Sequence, residues 1–258
     1  MEWRERDGVR WLEAELPGAR AAFSTRLGGV SEAPYEALNV AILTGDDAER
    51  VGENRRRLAA AIERDPAGVV MGRQVHGTQL RRHDEPQNPR VYADVVKSPD
   101  EVDAQATSNR GLTPLVMVAD CLPVAMIGPG GVAMVHCGWR GLAGDIVGAA
   151  AGEVEAEAAA IGPGIGPCCY EVGDEVLSAF EDLDGVARGR MLDLTAVATA
   201  LLERAGVTAV EPSGLCTSCN PELFYSHRRD GERTGRQAGL AWITRGGGGR
   251  EAEQPPDS

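Results

Sequence analysis

Residues Leu115–Val147 read LVMVADCLPVAMIGPGGVAMVHCGWRGLAGDIV. Two apolar runs, Leu115–Val118 and Val124–Ile127, lead into a Gly-Pro-Gly-Gly turn at Gly128–Gly131. A third run, Val132–Val135, delivers His136 into Gly138-Trp139-Arg140-Gly141 and the start of a helix. Short apolar runs bounded by turn residues read as buried strands. With Pro129-Gly130 as a two-residue loop, position 128 pairs with 131 and 123 with 136. Cys121 and His136 then share a face as diagonal neighbours, roughly 7–8 Å apart at Cα, whereas a one-residue slip would separate them to opposite faces. A thiol and an imidazole are therefore expected to converge at the end of a buried hairpin.

Working outward, Val9–Leu16 partly alternates and reads as an edge strand, and Val69–Met71 and Leu240–Thr244 read as short strands. Asp46–Glu63 places apolar Val51, Leu58, Ala59 and Ile62 at helical spacing, acidic at its start and basic later, as the helix dipole favours. Leu142–Ala160, Asp174–Phe180 and Asp193–Arg204 are expected as further helices. Their interleaving with strands predicts an α/β chain with mixed β-sheets. Gly246–Ser258 reads as a disordered tail.

The net charge of −13 argues against nucleic acid, which needs a basic face to displace counterions. No apolar run approaches a membrane span, and MEWRERDGVRW lacks the apolar core of a signal peptide. A cytoplasmic chain is expected, with its 6 cysteines reduced. Cys216-x-x-Cys219 supplies two metal ligands where a closed zinc site needs four. Cys168 and Cys169 could complete it, but adjacent cysteines seldom both face one ion. His83, in the charged run RRHDE, reads as solvated.

Six stretches carry a resemblance: FSTRLGGVS (Phe23–Ser31), QVHG (Gln74–Gly77), ADCLPV (Ala119–Val124), HCGWRG (His136–Gly141), IGPGIGPCCYEVG (Ile161–Gly173) and SHRRDGERTGR (Ser226–Arg236). In this order they resemble the laccase-domain family. It is also called the multicopper polyphenol-oxidase or peptidoglycan-editing-factor family, and its members act as purine nucleoside phosphorylases. The resemblance implies a single catalytic domain over residues 1–245, a layered sandwich of mixed β-sheets flanked by helices. It also implies a metal site at His76, Cys121 and His136. Two imidazoles and a thiolate suit zinc and leave a fourth position open, with copper second.

Three chemistries compete for this set. The family implies phosphorolysis of adenosine, inosine, guanosine and methylthioadenosine, plus adenosine deamination, for which a zinc-activated water would serve. Purine nucleosides and phosphate are then the partners, and Arg26, Arg140 and Arg236 the candidate anchors. A cysteine hydrolase editing peptidoglycan precursors would use Cys121 as nucleophile and His136 as base, with Asp103 or Asp120 as orienter. Copper oxidation of phenols would need a multicopper cluster, and 4 histidines are too few to build one. Read alone, His76 would be a hydrogen-bonded structural histidine and Arg26 a surface arginine.

Overall fold

The computed structural model describes residues 1–98 and 100–244; the expected tail lies outside them. In its first half the strands are Glu2–Arg6 (β1), Val9–Leu16 (β2), Ala19–Ser24 (β3), Val69–Val70 (β4), Leu80–Arg82 (β5), Ala104–Thr107 (β6) and Thr113–Val118 (β7). Leu122–Gly128 (β8), Gly131–Cys137 (β9), Ala158–Ile161 (β10), Ala187–Arg188 (β11), Met191–Leu192 (β12), Ala209–Pro212 (β13) and Gln237–Ile243 (β14) follow. The α-helices are Ala48–Ala61 (α1), Trp139–Ala143 (α2), Ile146–Val154 (α3), Asp174–Ser178 (α4), Leu194–Arg204 (α5) and His227–Asp230 (α6).

Two six-stranded sheets form, in the orders β1-β2-β3-β14-β7-β4 and β13-β10-β8-β9-β6-β5. Both mix directions: β4 runs parallel to β7, β5 to β6 and β10 to β13, while the β8–β9 hairpin is antiparallel. Period-2 alternation sorts their side chains into layers. In β8 and β9, Ala125, Ile127, Val132 and Met134 join Phe23, Val116 and Val118 in the seam between the sheets. Val124, Met126, Ala133 and Val135 point the other way, onto α3 and α5. The outer face of the first sheet packs Trp11, Leu115, Leu240 and Trp242 against Leu58 of α1. Each fully buried aliphatic side chain in these layers stabilises by about 1.5–3 kcal/mol. The sheets approach closely because β14 carries Gly239 in mid-strand, where a Cβ would meet Pro123 Cβ at 2.6 Å.

Helix α1 starts at Ala48, inside the expected Asp46–Glu63 span, with the Asp47 side chain accepting N–H bonds from Glu49 and Arg50. One of its basic residues turns inward. Arg55, 2% exposed, donates from Nε to Val40 O and from Nη1 to the carbonyls of Val91 and Tyr92. Burial lowers its pKa to about 10.

Three expectations are corrected. β2 is not an edge strand, because the charged segment Glu2–Arg6 pairs alongside it; its wholly exposed, ion-rich face is what a sheet edge tolerates. The long helix over Leu142–Ala160 is instead two helices and a strand. Gly144 closes α2, Asp145 adopts left-handed geometry (φ 62°) while capping Gly148, and Glu155 (φ 50°) ends α3. Ala158–Ile161 then enters the second sheet fully buried, where small side chains fit between layers and tertiary packing overrides alanine's helix propensity. His83 is buried, 6% exposed, with Nε2 2.7 Å from Gln105 Oε1. The charges around it in sequence point elsewhere.

Candidate active site and metal centre

The central hairpin has the register its turn specifies: Gly128 pairs with Gly131 and Pro123 with His136. His136 follows Val132 and Met134 on the seam side, and Cys121 packs against that same cluster. Both therefore stand at the end of the seam between the sheets, where apolar filling gives way to an opening. His76 reaches them from the loop after β4, in left-handed geometry (φ 60°). Its ring sits 4.9 Å from that of His136, edge to face. The ligand atoms of His76, Cys121 and His136 all lie within 4.8 Å of one another. Gly138 passes beside them, and a Cβ there would stand 3.0 Å from His76 Cδ2 and 3.2 Å from Cys121 Sγ.

Two side chains hold the His76 loop. Gln74 behaves as an extra strand residue: its Nε2 donates to Met117 O, and its Oε1 accepts from Met117 N, both at 2.7 Å. Asp103, fully buried, accepts N–H groups from Val75, His76 and Gly77 at 2.8–3.1 Å. Its Oδ1 also lies 2.7 Å from His136 Nδ1. The carboxylate thereby accepts a hydrogen bond from Nδ1–H and leaves Nε2 as the ligand atom facing Cys121. Asp103 is a positioning residue, since it does not reach the opening. Asp120 has different partners: Thr217 Oγ1 and Arg228 N donate to its two carboxylate oxygens.

The electrostatics follow from this geometry. Burial alone would raise Asp103, but the bonds from His136 and the Gly77 and Val75 amides hold it below the usual carboxylate range. Burial would also raise Cys121; the His136 charge and bonds from both imidazoles bring it down instead. His136 is raised despite its burial, by the Cys121 thiolate and Asp103. In the absence of metal these directions favour a thiolate beside an imidazolium. Replacing the shared proton by a divalent cation satisfies the same donors, and two nitrogens with one thiolate suit a metal with an open position.

The site opens into a cavity of about 480 Å³, the size of a small-molecule pocket. Six cationic side chains line it, but Arg55 spends its N–H groups on backbone carbonyls and Arg73 pairs with Glu101, which leaves Lys97, Arg140, Arg228 and Arg236 against a single carboxylate, Asp120. Trp139 and Tyr170 contribute aromatic faces, with Arg140 stacked on the first at 4.4 Å and Arg228 on the second at 5.2 Å. Of the three arginines expected as anchors, Arg140 and Arg236 line the cavity. Arg26 does not line the cavity: it bonds the carbonyls of Glu36 and Pro221 and stacks over Tyr225. Sequence reasoning gave Gln74 and Tyr170 no role. Both lie inside quoted motifs, which was the available signal.

Among the described residues a second group of potential metal ligands gathers away from this cavity: Cys168, Cys169, Cys216 and Cys219. No described helix is long and apolar enough to cross a membrane.

Residues 20–244 match the family model described as multi-copper polyphenol oxidoreductase laccase. The chain is 36% identical over 252 residues to a Pseudomonas aeruginosa protein named purine nucleoside phosphorylase, covering 90% of this chain and 98% of that one. An Escherichia coli K12 protein of the same name is 37% identical over 241 residues, covering 88% and 94%. The crystal structure of YlmD from Geobacillus stearothermophilus superposes with a TM-score of 0.83 at 33% identity, covering 93% of this chain and 97% of that one.

Proposed function

Because the chain belongs to the multi-copper polyphenol oxidoreductase laccase family, with relatives named purine nucleoside phosphorylase, we propose that it is a zinc-dependent purine nucleoside phosphorylase that also deaminates adenosine. The observation that carries this reading is the wall of the cavity. In a chain of net charge −13, Lys97, Arg140, Arg228 and Arg236 against one carboxylate mark a place for an anion, and guanidinium forks match phosphate oxygens.

His76, Cys121 and His136 would hold the zinc ion. Bound there, it supplies a Lewis acid beside the substrate. The chain's own residues do the rest. Arg140, Arg228 and Arg236 bind phosphate and orient an oxygen toward the anomeric carbon of the ribose. Trp139 and Tyr170 offer stacking faces to the purine. As the phosphate oxygen bonds to carbon, the C–N glycosidic bond breaks and the base departs with its electron pair, leaving ribose 1-phosphate. The cationic wall disperses the negative charge that develops on the base. Asp103 holds both imidazoles in place throughout.

A second reading has an observation of its own. Cys121, His136 and Asp103 form a nucleophile–base–orienter chain with the thiol already lowered, as a cysteine hydrolase acting on peptidoglycan precursors would require. The family description names a copper oxidase; against a multicopper cluster stands a total of 4 histidines, of which His83 is bonded to Gln105 in the interior. Incubating the purified protein with adenosine, inosine and guanosine, with and without phosphate, separates these readings. Phosphate-dependent release of free base and ribose 1-phosphate is expected, with inosine formed from adenosine whether or not phosphate is present. A product distribution indifferent to phosphate removes the phosphorylase assignment and leaves the hydrolase.

A further inference from the structure

Four cysteines take no part in the cavity chemistry. Cys168 and Cys169 lie in the loop after β10, and Cys216 and Cys219 in the loop between β13 and α6. Their sulfurs all lie within 4.8 Å of one another, and Cys219 Sγ is 3.4 Å from both Cys168 Sγ and Cys169 Sγ. A disulfide would bring two of them to about 2.05 Å. A tetrahedral metal with bonds of about 2.3 Å sets neighbouring sulfurs about 3.8 Å apart. The observed spacing belongs with the second geometry.

The backbone builds this cluster before any ion arrives. Gly164 pairs with Cys216 in a parallel bridge, with Gly164 N–H donating to Leu215 O and Thr217 N–H to Gly164 O. Gly166 O accepts the N–H groups of both Cys169 and Tyr170, a tight turn that directs two adjacent thiols to the same side. That turn removes the sequence-level objection to neighbouring cysteines sharing an ion. Gly166 N–H donates to Cys216 Sγ at 3.2 Å, a contact that orients and stabilises a thiolate ligand. A Cβ on Gly166 would come within 3.3 Å of Cys168 Sγ, so the absence of a side chain there lets the two loops meet.

We propose that Cys168, Cys169, Cys216 and Cys219 hold a second metal ion, a structural tetrathiolate zinc, separate from the His76/Cys121/His136 centre. Four soft sulfur donors select zinc or iron among the common metals, and four protein ligands leave no open position for substrate. The ion's role is to staple a loop that lines the cavity through Ile165 and Tyr170 to the loop that leads into α6, whose His227 and Arg228 line it too. Arg228 already spans them through its bond to Glu171 O. This site does not depend on which reaction the cavity catalyses.

The test counts metal in reduced, full-length protein stripped with a chelator and reloaded with zinc or cobalt(II). Wild type is expected to take two equivalents per chain, and Cys168→Ser/Cys219→Ser one. Cys121→Ala/His136→Ala should also take one, and with cobalt it should retain intense sulfur-to-metal charge-transfer bands. Two equivalents retained in Cys168→Ser/Cys219→Ser, none in Cys121→Ala/His136→Ala, or iron in the protein as isolated overturns the proposal. Should the serine variant misfold, alkylation of wild type decides. Zinc is expected to protect these four thiols, and equal rates of alkylation with and without zinc overturn the site.

Discussion

Asp103 Oδ1 stands 2.7 Å from Nδ1 of His136, 33 residues along the chain. The same buried carboxylate accepts the main-chain N–H of His76. One side chain thus orients both imidazoles of the centre, the first directly and the second through its backbone. Asp103→Asn keeps the shape but loses the charge and half of the acceptor capacity. Metal affinity is expected to fall about 10–100-fold, measured by competition with a chromophoric chelator. Unchanged affinity in a folded variant would show that the orientation is set elsewhere.

Gly138→Ala adds one methyl at ordinary φ (−83°), so the backbone tolerates it. That methyl would press on His76 and Cys121, and crowding of about 1–3 kcal/mol predicts at least a roughly fivefold loss of metal affinity with thermal unfolding nearly unchanged. Full metal retention would mean that the two ligands can move apart at no cost.

Arg140 is exposed and stacked on Trp139 at the cavity wall. Removing a charged hydrogen-bond donor to phosphate costs about 1.5–3 kcal/mol. Arg140→Ala should therefore raise the KM for phosphate by about tenfold or more, with adenosine deamination less affected. An equal loss in both activities would instead place Arg140 on the nucleoside.

Arg55→Ala leaves the Val40 carbonyl without its donor, while Val91 O and Tyr92 O keep longer bonds from Val96 N and Val95 N. At about 1–3 kcal/mol for a buried unsatisfied group, a loss of about 1–3 kcal/mol is expected in urea unfolding. A loss below about 1 kcal/mol would mean that water replaces the guanidinium.

His83 supplies a pH test. Burial lowers its pKa below the ordinary histidine value, partly opposed by the Gln105 bond. Since the folded pKa lies below the unfolded one, neutral His83 contributes fully above the unfolded value of about 6.5, and that contribution is lost as pH falls through the folded pKa. The stability gap between wild type and His83→Gln should therefore narrow from pH 7.5 to pH 5 in denaturant titrations. A gap that widens toward acid would reverse the sign.

What the sequence determined by itself is what short-range chemistry encodes. The Gly-Pro-Gly-Gly turn and the period-2 runs around it set the register that puts Cys121 and His136 on one face, and Asp47 set the start of α1. The mixed sheets were legible from the interleaving of such signals, and the single domain was what the family resemblance implied. Tertiary structure alone decided that Ala158–Ile161 is a strand, since an alanine run reads as helix until sheet neighbours bury it. It alone turned Arg55 and His83 inward, and it separated Arg26, spent on carbonyls, from Arg140 and Arg236 at the cavity. It also brought Cys168 to Cys219 across 51 positions. Turn and strand signals act over a few residues, whereas side chains that meet across the fold do so because of which apolar faces bury against each other. That choice is a property of all the layers at once, and no local pattern carries it.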